Sequence, residues 1–188
     1  MNKLQNIEVE LTFPLYDHVE LQKQLNNMAK LEHKNLKQKD TYYSAPHRNF
    51  LKKVPISEWL RIRETDKGTT LNYKYWHNEG DKQAVSCDEF ETPTNANIVK
   101  EIFKRLNFQE LIVVDKVHST WMYKNVEIAI DEIKELGWFL ELEAKGQHQS
   151  IDDAKNHLYK IIKELKAKTG PQDYKGFPHL LLEKKKLL

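Results

Sequence analysis

Much of the chain alternates apolar and polar residues with a period of two, which is typical of β-strands that bury one face. In the first such segment, apolar residues at positions 7, 9, 11 and 13 leave Glu8 and Glu10 together on the opposite face. Further segments of this kind cover positions 40–43, 59–63, 71–75, 85–91, 111–118, 126–131 and 140–143. The pattern therefore predicts eight strands, most of them with one apolar and one charged face.

Apolar residues at helical spacing separate these strands in three places. Helices are predicted over roughly 17–32, around 98–106 and after Ser150, where Asp153 three residues later suggests a capped start. The Gly170-Pro171 pair is predicted to end the third helix, and a short helix or strand is expected from Phe177. Turns are predicted around 67–68, 78–81 and 136–137.

Like charges recur two residues apart on the predicted strands, as in Glu8/Glu10, Arg61/Arg63, Glu89/Glu91 and Glu141/Glu143. Such pairs repel along one face, so the surface of an open sheet gains nothing from them. The amphipathic helices are suited to covering the apolar faces, and closing the sheet removes its exposed edges. We therefore predict an α+β fold over residues 1–188, a single domain with a closed antiparallel eight-stranded β-barrel and helices packed on the outside.

The composition limits the partners and the compartment. Lys and Arg number 30 against 28 Asp and Glu, and the net charge of +2 gives no global attraction to nucleic acid or to an anionic membrane. Any phosphate recognition must then come from a local cluster of charges. The single cysteine, Cys87, excludes an intramolecular disulfide, and no apolar stretch of signal-peptide length stands at the start, so we expect a cytoplasmic protein.

The charges predicted to face the interior are unequal in number. Buried charges are costly unless they are paired or bound to metal, and the acids outnumber the bases. All-oxygen ligands favour Mg²⁺, Mn²⁺ or Ca²⁺ over Zn²⁺, whereas the bases need an anion larger than one carboxylate, such as a polyphosphate. The acids are Glu8, Glu10, Glu89, Glu91, Asp131, Glu141 and Glu143, and the bases are Arg61, Arg63, Lys74 and Lys116.

Taken in chain order, these residues form a set of short motifs. The motifs are Glu8-Val9-Glu10-Leu11-Thr12, Asp40-Thr41-Tyr42-Tyr43, Arg61-Ile62-Arg63, Lys74, Glu89-Phe90-Glu91, Lys116-Val117-His118, and Asp131 followed by Leu136-Gly137 and Glu141-Leu142-Glu143. The set resembles the CYTH superfamily, whose triphosphate tunnel enzymes include class IV adenylyl cyclases and thiamine triphosphatases. The resemblance runs from Glu8 to about Tyr174. The family's E-x-E-x-K and K-x-R motifs carry a lysine and an arginine where this chain has Thr12 and His118.

By this resemblance, the interior is a metal-dependent triphosphate site. The residues that would hold one or two Mg²⁺ or Mn²⁺ ions are Glu8, Glu10, Asp131, Glu141 and Glu143. Those that would bind the triphosphate are Arg61, Arg63, Lys74, Lys116 and His118. The resemblance places Lys116, Asp131 and Glu141 in catalytic roles, and Glu89 and Glu91 would either orient the basic side chains or ligate metal themselves.

Three functions fit such a site. The first is cyclisation of ATP to cyclic AMP and pyrophosphate, which the spacing of Leu136-Gly137 before Glu141 favours. The second is hydrolysis of thiamine triphosphate or inorganic triphosphate, since charges around a phosphate chain support either reaction. The third is a barrel that binds a nucleotide or polyphosphate without turnover, which Thr12 and His118 suggest.

Two structural alternatives accompany these functions. Arg61 and Arg63 could form interior ion pairs with Glu89 and Glu91 that serve only as scaffolding. An exposed apolar wall of the barrel could also support a homodimer.

Overall fold

The computed structural model describes residues 7–77 and 85–188. Within these ranges the chain forms eight β-strands, four α-helices and one short 3₁₀ helix. In chain order they are β1 (Ile7–Pro14), α1 (His18–Met28), β2 (Lys30–Ser44), the 3₁₀ helix (Phe50–Lys52), β3 (Glu58–Thr65), β4 (Gly68–Trp76), β5 (Ser86–Pro93), α2 (Ala96–Arg105), β6 (Gln109–Tyr123), β7 (Val126–Ile133), β8 (Gly137–Ala144), α3 (Ile151–Leu165) and α4 (Phe177–Lys184). The turn predicted at 78–81 lies outside the described residues.

The strands form a closed barrel in the order β1–β5–β4–β3–β2–β6–β7–β8. Neighbouring strands run antiparallel along β2–β3–β4–β5 and along β6–β7–β8–β1. Each of the eight predicted segments corresponds to one of these strands. The structure therefore confirms the prediction of a closed antiparallel eight-stranded barrel with helices.

The described residues divide into two compact units. Unit 1 contains Ile7, 37–77, 85–115 and 175–188, and unit 2 contains 8–36 and 116–174. Unit 1 therefore holds β3, β4, β5, α2 and α4 with parts of β2 and β6. Unit 2 holds α1, β7, β8 and α3 with most of β1 and the remaining parts of β2 and β6.

In unit 1, α2 packs on the apolar face of the sheet. Val99 and Phe103 of α2 form a buried cluster with Tyr43 of β2 and Ile62 of β3. The Phe103 and Tyr43 rings meet edge to face, with centroids 5.0 Å apart. Because side chains alternate along a strand, the even-numbered residues of β2 and the odd-numbered residues of β3 project away from this cluster.

In unit 2, α3 packs against β8. The helix buries the apolar stripe Ala154, Leu158, Ile161 and Leu165, and alternate residues of β7 and β8 are also buried, namely Ile128, Ile130, Leu140 and Leu142. Ser150 begins this helix as predicted, because its Oγ accepts a hydrogen bond from the Asp153 backbone N–H at 3.1 Å. Because side chains alternate along a strand, Glu127, Asp131, Glu141 and Glu143 therefore project away from α3.

Two predicted helix ends are wrong. α1 ends at Met28 rather than near residue 32, and Leu31 lies in β2. The segment 30–39 is too polar to show alternation, so its extended conformation depends on contacts such as the hydrogen bond from Asn35 N–H to Ser119 Oγ at 2.9 Å. α3 ends at Leu165, well before Gly170, because Lys166 adopts a left-handed conformation with φ of 52°. In the part of the chain that the structure describes, no helix is both long and apolar enough to cross a membrane.

Candidate functional site

The strand register places the predicted phosphate-binding residues of unit 1 on one face. Residues directly opposite each other in antiparallel strands project from the same face. The opposing pairs are Asp40/Arg63, Tyr42/Arg61, Arg61/Asn72, Asn72/Glu91 and Lys74/Glu89. Because α2 covers the other face, we call this the charged face of unit 1.

Asp40 holds both arginines of this face. Its carboxylate accepts two hydrogen bonds from Arg63, from Nε to Oδ1 at 2.8 Å and from Nη2 to Oδ2 at 2.7 Å. Arg61 Nη1 donates to the same Oδ2 at 3.3 Å. Asp40 is only 1% exposed, so this is a buried bidentate pair of fixed geometry. Burial opposes both positive charges, but the attraction of Asp40 outweighs it and raises the pKa of Arg61 and of Arg63.

Glu89 holds the other basic side chain of this face in place. Its Oε1 lies 3.7 Å from Lys74 Nζ and 3.8 Å from Arg61 Nη2, and it accepts a hydrogen bond from Asn72 Nδ2. Glu91 accepts hydrogen bonds from Asn72 Nδ2 at 3.4 Å and from Thr70 Oγ1 at 3.2 Å. Glu89 therefore lies within ion-pair distance of both Arg61 and Lys74.

One buried donor of this face has no acceptor among the described residues. Arg61 Nε is buried and makes no hydrogen bond there. A buried N–H without a partner costs about 1–3 kcal/mol, so its retention calls for an explanation such as a bound ligand. Asp40 and Glu89 engage the Nη atoms, so the guanidinium is held in one orientation while Nε has no acceptor among the described residues.

In unit 2, Asp131 lies between two of the predicted triphosphate-binding residues. Lys116 Nζ is 2.9 Å from Asp131 Oδ2, and His118 Nδ1 is 2.6 Å from Oδ1. The Asp131 side chain is fully buried. Burial alone would raise the pKa of Asp131, but attraction from Lys116 and His118 outweighs it and lowers that pKa to about 2. Both oxygens of this predicted metal ligand are thus engaged by basic side chains in this structure.

Three glutamates of unit 2 form a row across neighbouring strands, which we call the carboxylate row. Glu143 of β8 lies opposite Glu10 of β1 and opposite Glu127 of β7. Burial and repulsion from Glu8 raise the pKa of Glu143 to about 7, and Glu10 adds to this effect. Lys145 acts in the opposite sense, since its Nζ lies 2.5 Å from Glu143 Oε1.

The carboxylate row fits a divalent cation by its donor chemistry. Carboxylate oxygens are the ligands that Mg²⁺ and Mn²⁺ prefer, and a cation would relieve the repulsion that raises the pKa of Glu143. Within residues 7–77 and 85–188, however, no group of three or more His, Cys, Asp or Glu side chains is already arranged to hold a metal ion. Binding would therefore require side-chain rotations in the row.

The two departures from the family motifs both lie in unit 2. Thr12 is buried opposite Glu141, and its carbonyl oxygen accepts a hydrogen bond from the Asp173 N–H at 2.8 Å. A neutral side chain therefore stands where the family's E-x-E-x-K motif has a lysine. His118 stands where the family has an arginine, and its Nδ1 atom forms a hydrogen bond with Asp131 Oδ1.

Sequence reasoning missed three residues of these groups. Asp40 appeared only as part of a strand motif, although its side chain holds Arg61 and Arg63. Glu127 shares the alternation of Asp131 on β7, which could have placed it on the same face. Lys145 follows Glu141 and Glu143 with the E-x-E-x-K spacing that the first strand lacks, so the sequence did contain a signal for it.

An open pocket of about 210 Å³ in unit 1 lies apart from these predicted residues. It is lined by Lys37, Gln38, Lys39, Glu64, Thr65, Asp66 and Asp115. Two lysines against three acids give it no attraction for a polyanion, so it is not a candidate phosphate site.

The fold and these groups define a class of protein, a closed β-barrel whose strands carry charged side chains on the face opposite the helices. The chain belongs to the CYTH domain family, since the model of the CYTH domain matches residues 6–177. It is 30% identical over 160 residues to the Methanocaldococcus jannaschii protein named "Putative adenylate cyclase MJ0240", with 85% of each chain covered.

Solved structures share the fold of this chain. The PH1819 protein of Pyrococcus horikoshii OT3 is 28% identical, with a TM-score of 0.77 over 94% of this chain and 99% of that one. A Hippeastrum protein named "Putative adenylyl cyclase HpAC1", described as having a dominant triphosphatase activity, is 17% identical with a TM-score of 0.62. That alignment covers 96% of this chain and 95% of the Hippeastrum chain, and it shows likeness of fold alone.

Proposed function

We propose that the protein is a divalent-metal-dependent enzyme that acts on a small-molecule triphosphate, with cyclisation of ATP to cyclic AMP and pyrophosphate as the first candidate reaction. The observation that carries the proposal is the buried Arg61 Nε, which has no acceptor among the described residues while Asp40 and Glu89 fix the rest of the guanidinium. Triphosphate oxygens supply the acceptors that such a donor lacks.

Charge stabilisation is the main task of the protein in phosphoryl transfer. Arg61, Arg63 and Lys74 would bind phosphate oxygens and stabilise negative charge on the leaving pyrophosphate. Lys116 and His118 would bind phosphate from their positions beside Asp131, whose carboxylate contacts Lys116 Nζ and fixes the orientation of the imidazole ring.

The carboxylates Glu8, Glu10, Asp131, Glu141 and Glu143 would hold Mg²⁺ or Mn²⁺, and the metal would neutralise charge on the phosphate chain. Glu127 joins this set as a further candidate, because it lies opposite Glu143. Asp131 would have to share its oxygens with Lys116 and His118, so Glu143 and its neighbours Glu8 and Glu10 are the stronger candidates.

Hydrolysis of thiamine triphosphate or inorganic triphosphate is the second candidate reaction. The activity described for the Hippeastrum protein favours it, as does the missing lysine at Thr12, because a weaker hold on one phosphate would leave room for water. Cytoplasmic location and a homodimeric state remain predictions from the sequence.

Product analysis tests the proposal. The protein is incubated with ATP, thiamine triphosphate or inorganic triphosphate in the presence of Mg²⁺ or Mn²⁺, and the products are separated by ion-exchange chromatography. Cyclic AMP with pyrophosphate supports the first reaction, and release of phosphate supports the second. Tight binding of a triphosphate with no product from any of the three would instead identify a binding protein.

Arg61→Ala and Lys116→Ala should each weaken binding of a non-hydrolysable triphosphate roughly ten- to a hundredfold, because each removes charge-assisted bonds worth about 1.5–3 kcal/mol. Calorimetric titration measures the affinity. Arg105→Ala is the control, since Arg105 forms an exposed pair with Glu101 within α2. Wild-type affinity in both test variants would place these residues outside the site.

A further inference from the structure

Lys145 directly follows β8 and continues its charged alternation. Glu141, Glu143 and Lys145 follow one another at intervals of two residues, so their side chains project from the same face of the strand. Lys145 Nζ contacts Glu143 Oε1 at 2.5 Å, and its side chain is 38% exposed. Its backbone is held as well, because Lys145 N–H donates to the Asn125 carbonyl oxygen at 2.8 Å. The ammonium group therefore has a defined place beside Glu143, the middle member of the carboxylate row.

Several carboxylates act on Lys145 together. Burial opposes its charge, but attraction from Glu143, Glu127 and Glu8 outweighs this and raises the pKa of Lys145. The same carboxylates repel one another, since Glu8 and Glu10 both disfavour the charged form of Glu143. Lys145 thus offsets part of the repulsion that these glutamates exert on Glu143, which is the task that a bound metal ion would otherwise perform.

We propose that Lys145 is the resident cation of the carboxylate row, and that a divalent metal ion binds to Glu143 only by displacing the Lys145 ammonium group. A divalent ion at Glu143 Oε1 would lie within a few ångström of the ammonium group that contacts this atom, and the Glu143 side chain is only 16% exposed, so water would screen their repulsion weakly. Lys145 would therefore weaken metal binding at the row. It would also stabilise the folded protein when no metal is bound. Because it concerns metal at these glutamates, this inference rests on the metal dependence in the proposed function.

The test measures Mn²⁺ binding by the full chain in the absence of any triphosphate, using calorimetry and the electron paramagnetic resonance signal of free Mn²⁺. Lys145→Met keeps much of the side-chain volume and removes the charge. It should bind Mn²⁺ roughly tenfold or more tightly than the wild type, because a unit charge a few ångström from the ion has been removed. Lys145→Arg keeps the charge and should bind Mn²⁺ with an affinity close to that of the wild type.

Two further variants separate this effect from a general loss of charge. Lys124→Met removes a lysine whose partner is the exposed Glu164, and it should leave Mn²⁺ affinity unchanged. Adding Glu143→Gln to Lys145→Met should abolish the gain, because the displaced contact no longer exists. The unfolding midpoint should fall in metal-free Lys145→Met, and Mn²⁺ should raise it more than it raises the midpoint of the wild type.

The outcomes distinguish the two proposals. Unchanged or weaker Mn²⁺ binding by Lys145→Met, with measurable binding by the wild type, would overturn the role of Lys145 and leave the metal-dependent enzyme standing. Absence of Mn²⁺ binding in both proteins would overturn both the role of Lys145 and the metal dependence. Should Lys145→Met fail to fold, Lys145→Gln replaces it, with the same expected gain in affinity.

Discussion

At the scale of single residues, Asp40 determines the geometry of the charged face of unit 1. It receives three hydrogen bonds from two arginines and is almost wholly buried. Removing one member of a buried charge group leaves the others without compensation, which is far more damaging than losing an exposed pair. Asp40 therefore supports the fold as well as the orientation of the arginines.

Asp40→Asn should lower the free energy of unfolding by about 3–5 kcal/mol, because it leaves Arg61 and Arg63 buried with reduced compensation. Urea denaturation followed by circular dichroism measures this change. The matched control is Glu101→Gln, which breaks an exposed pair with Arg105 and should cost less than about 1 kcal/mol. Equal losses in the two variants would contradict a supporting role for Asp40.

The raised pKa of Glu143 leads us to expect an unusual pH dependence of stability in the metal-free protein. Its pKa is about 7 when folded against a usual value of 4.5, so the folded protein keeps a proton that the unfolded chain has already lost. The contribution of Glu143 to stability is therefore fully present below about pH 4.5 and is lost as the pH rises to about 7, by up to about 3 kcal/mol.

The measurement is the urea midpoint in EDTA from pH 4.5 to 7.5 for the wild type and for Glu143→Gln. The variant cannot ionise at this position and should show a smaller decline over the range. Parallel curves for the two proteins would show that Glu143 does not carry the effect.

At the scale of elements, the N-terminus of α3 depends on one side chain. Ser150→Ala should destabilise the protein by about 1 kcal/mol, because the Asp153 N–H loses its acceptor at 3.1 Å. Thermal unfolding measures the change. Gln149→Ala is the control, since Gln149 contributes only its backbone N–H to Asp153. A loss equal to that in the control would mean that water replaces the cap without cost.

Strands in which apolar and charged residues alternate, such as β1, β3 and β7, were predicted correctly from the sequence. Such a pattern fits only a half-buried strand. The prediction failed over the first part of β2, which is polar on both faces. The spacing of charges predicted which residues share a face. It could not predict that Asp131 would be bonded to Lys116 and His118, because partners on different strands are set by register rather than by spacing.

At the scale of the whole molecule, we expect the packing of helices on apolar strand faces to hold the fold without metal. The buried residues of α2 and α3 meet apolar strand residues, whereas the carboxylate row projects away from α3. EDTA should therefore abolish turnover and leave the circular dichroism spectrum nearly unchanged. Restoring activity with Mg²⁺ or Mn²⁺ is the control, and unfolding by EDTA would show that metal is structural.

The ion pairs that Asp40 and Glu89 form with the arginines also affect the entropy change when an anion binds. A free arginine side chain loses rotamer freedom worth about 2 kcal/mol when a ligand immobilises it. Arg61 and Arg63 lose that freedom during folding, since their guanidinium groups are already fixed. An arriving anion would thus meet a rigid recognition surface, and its association would carry a smaller entropic penalty than binding to the same residues on a mobile loop.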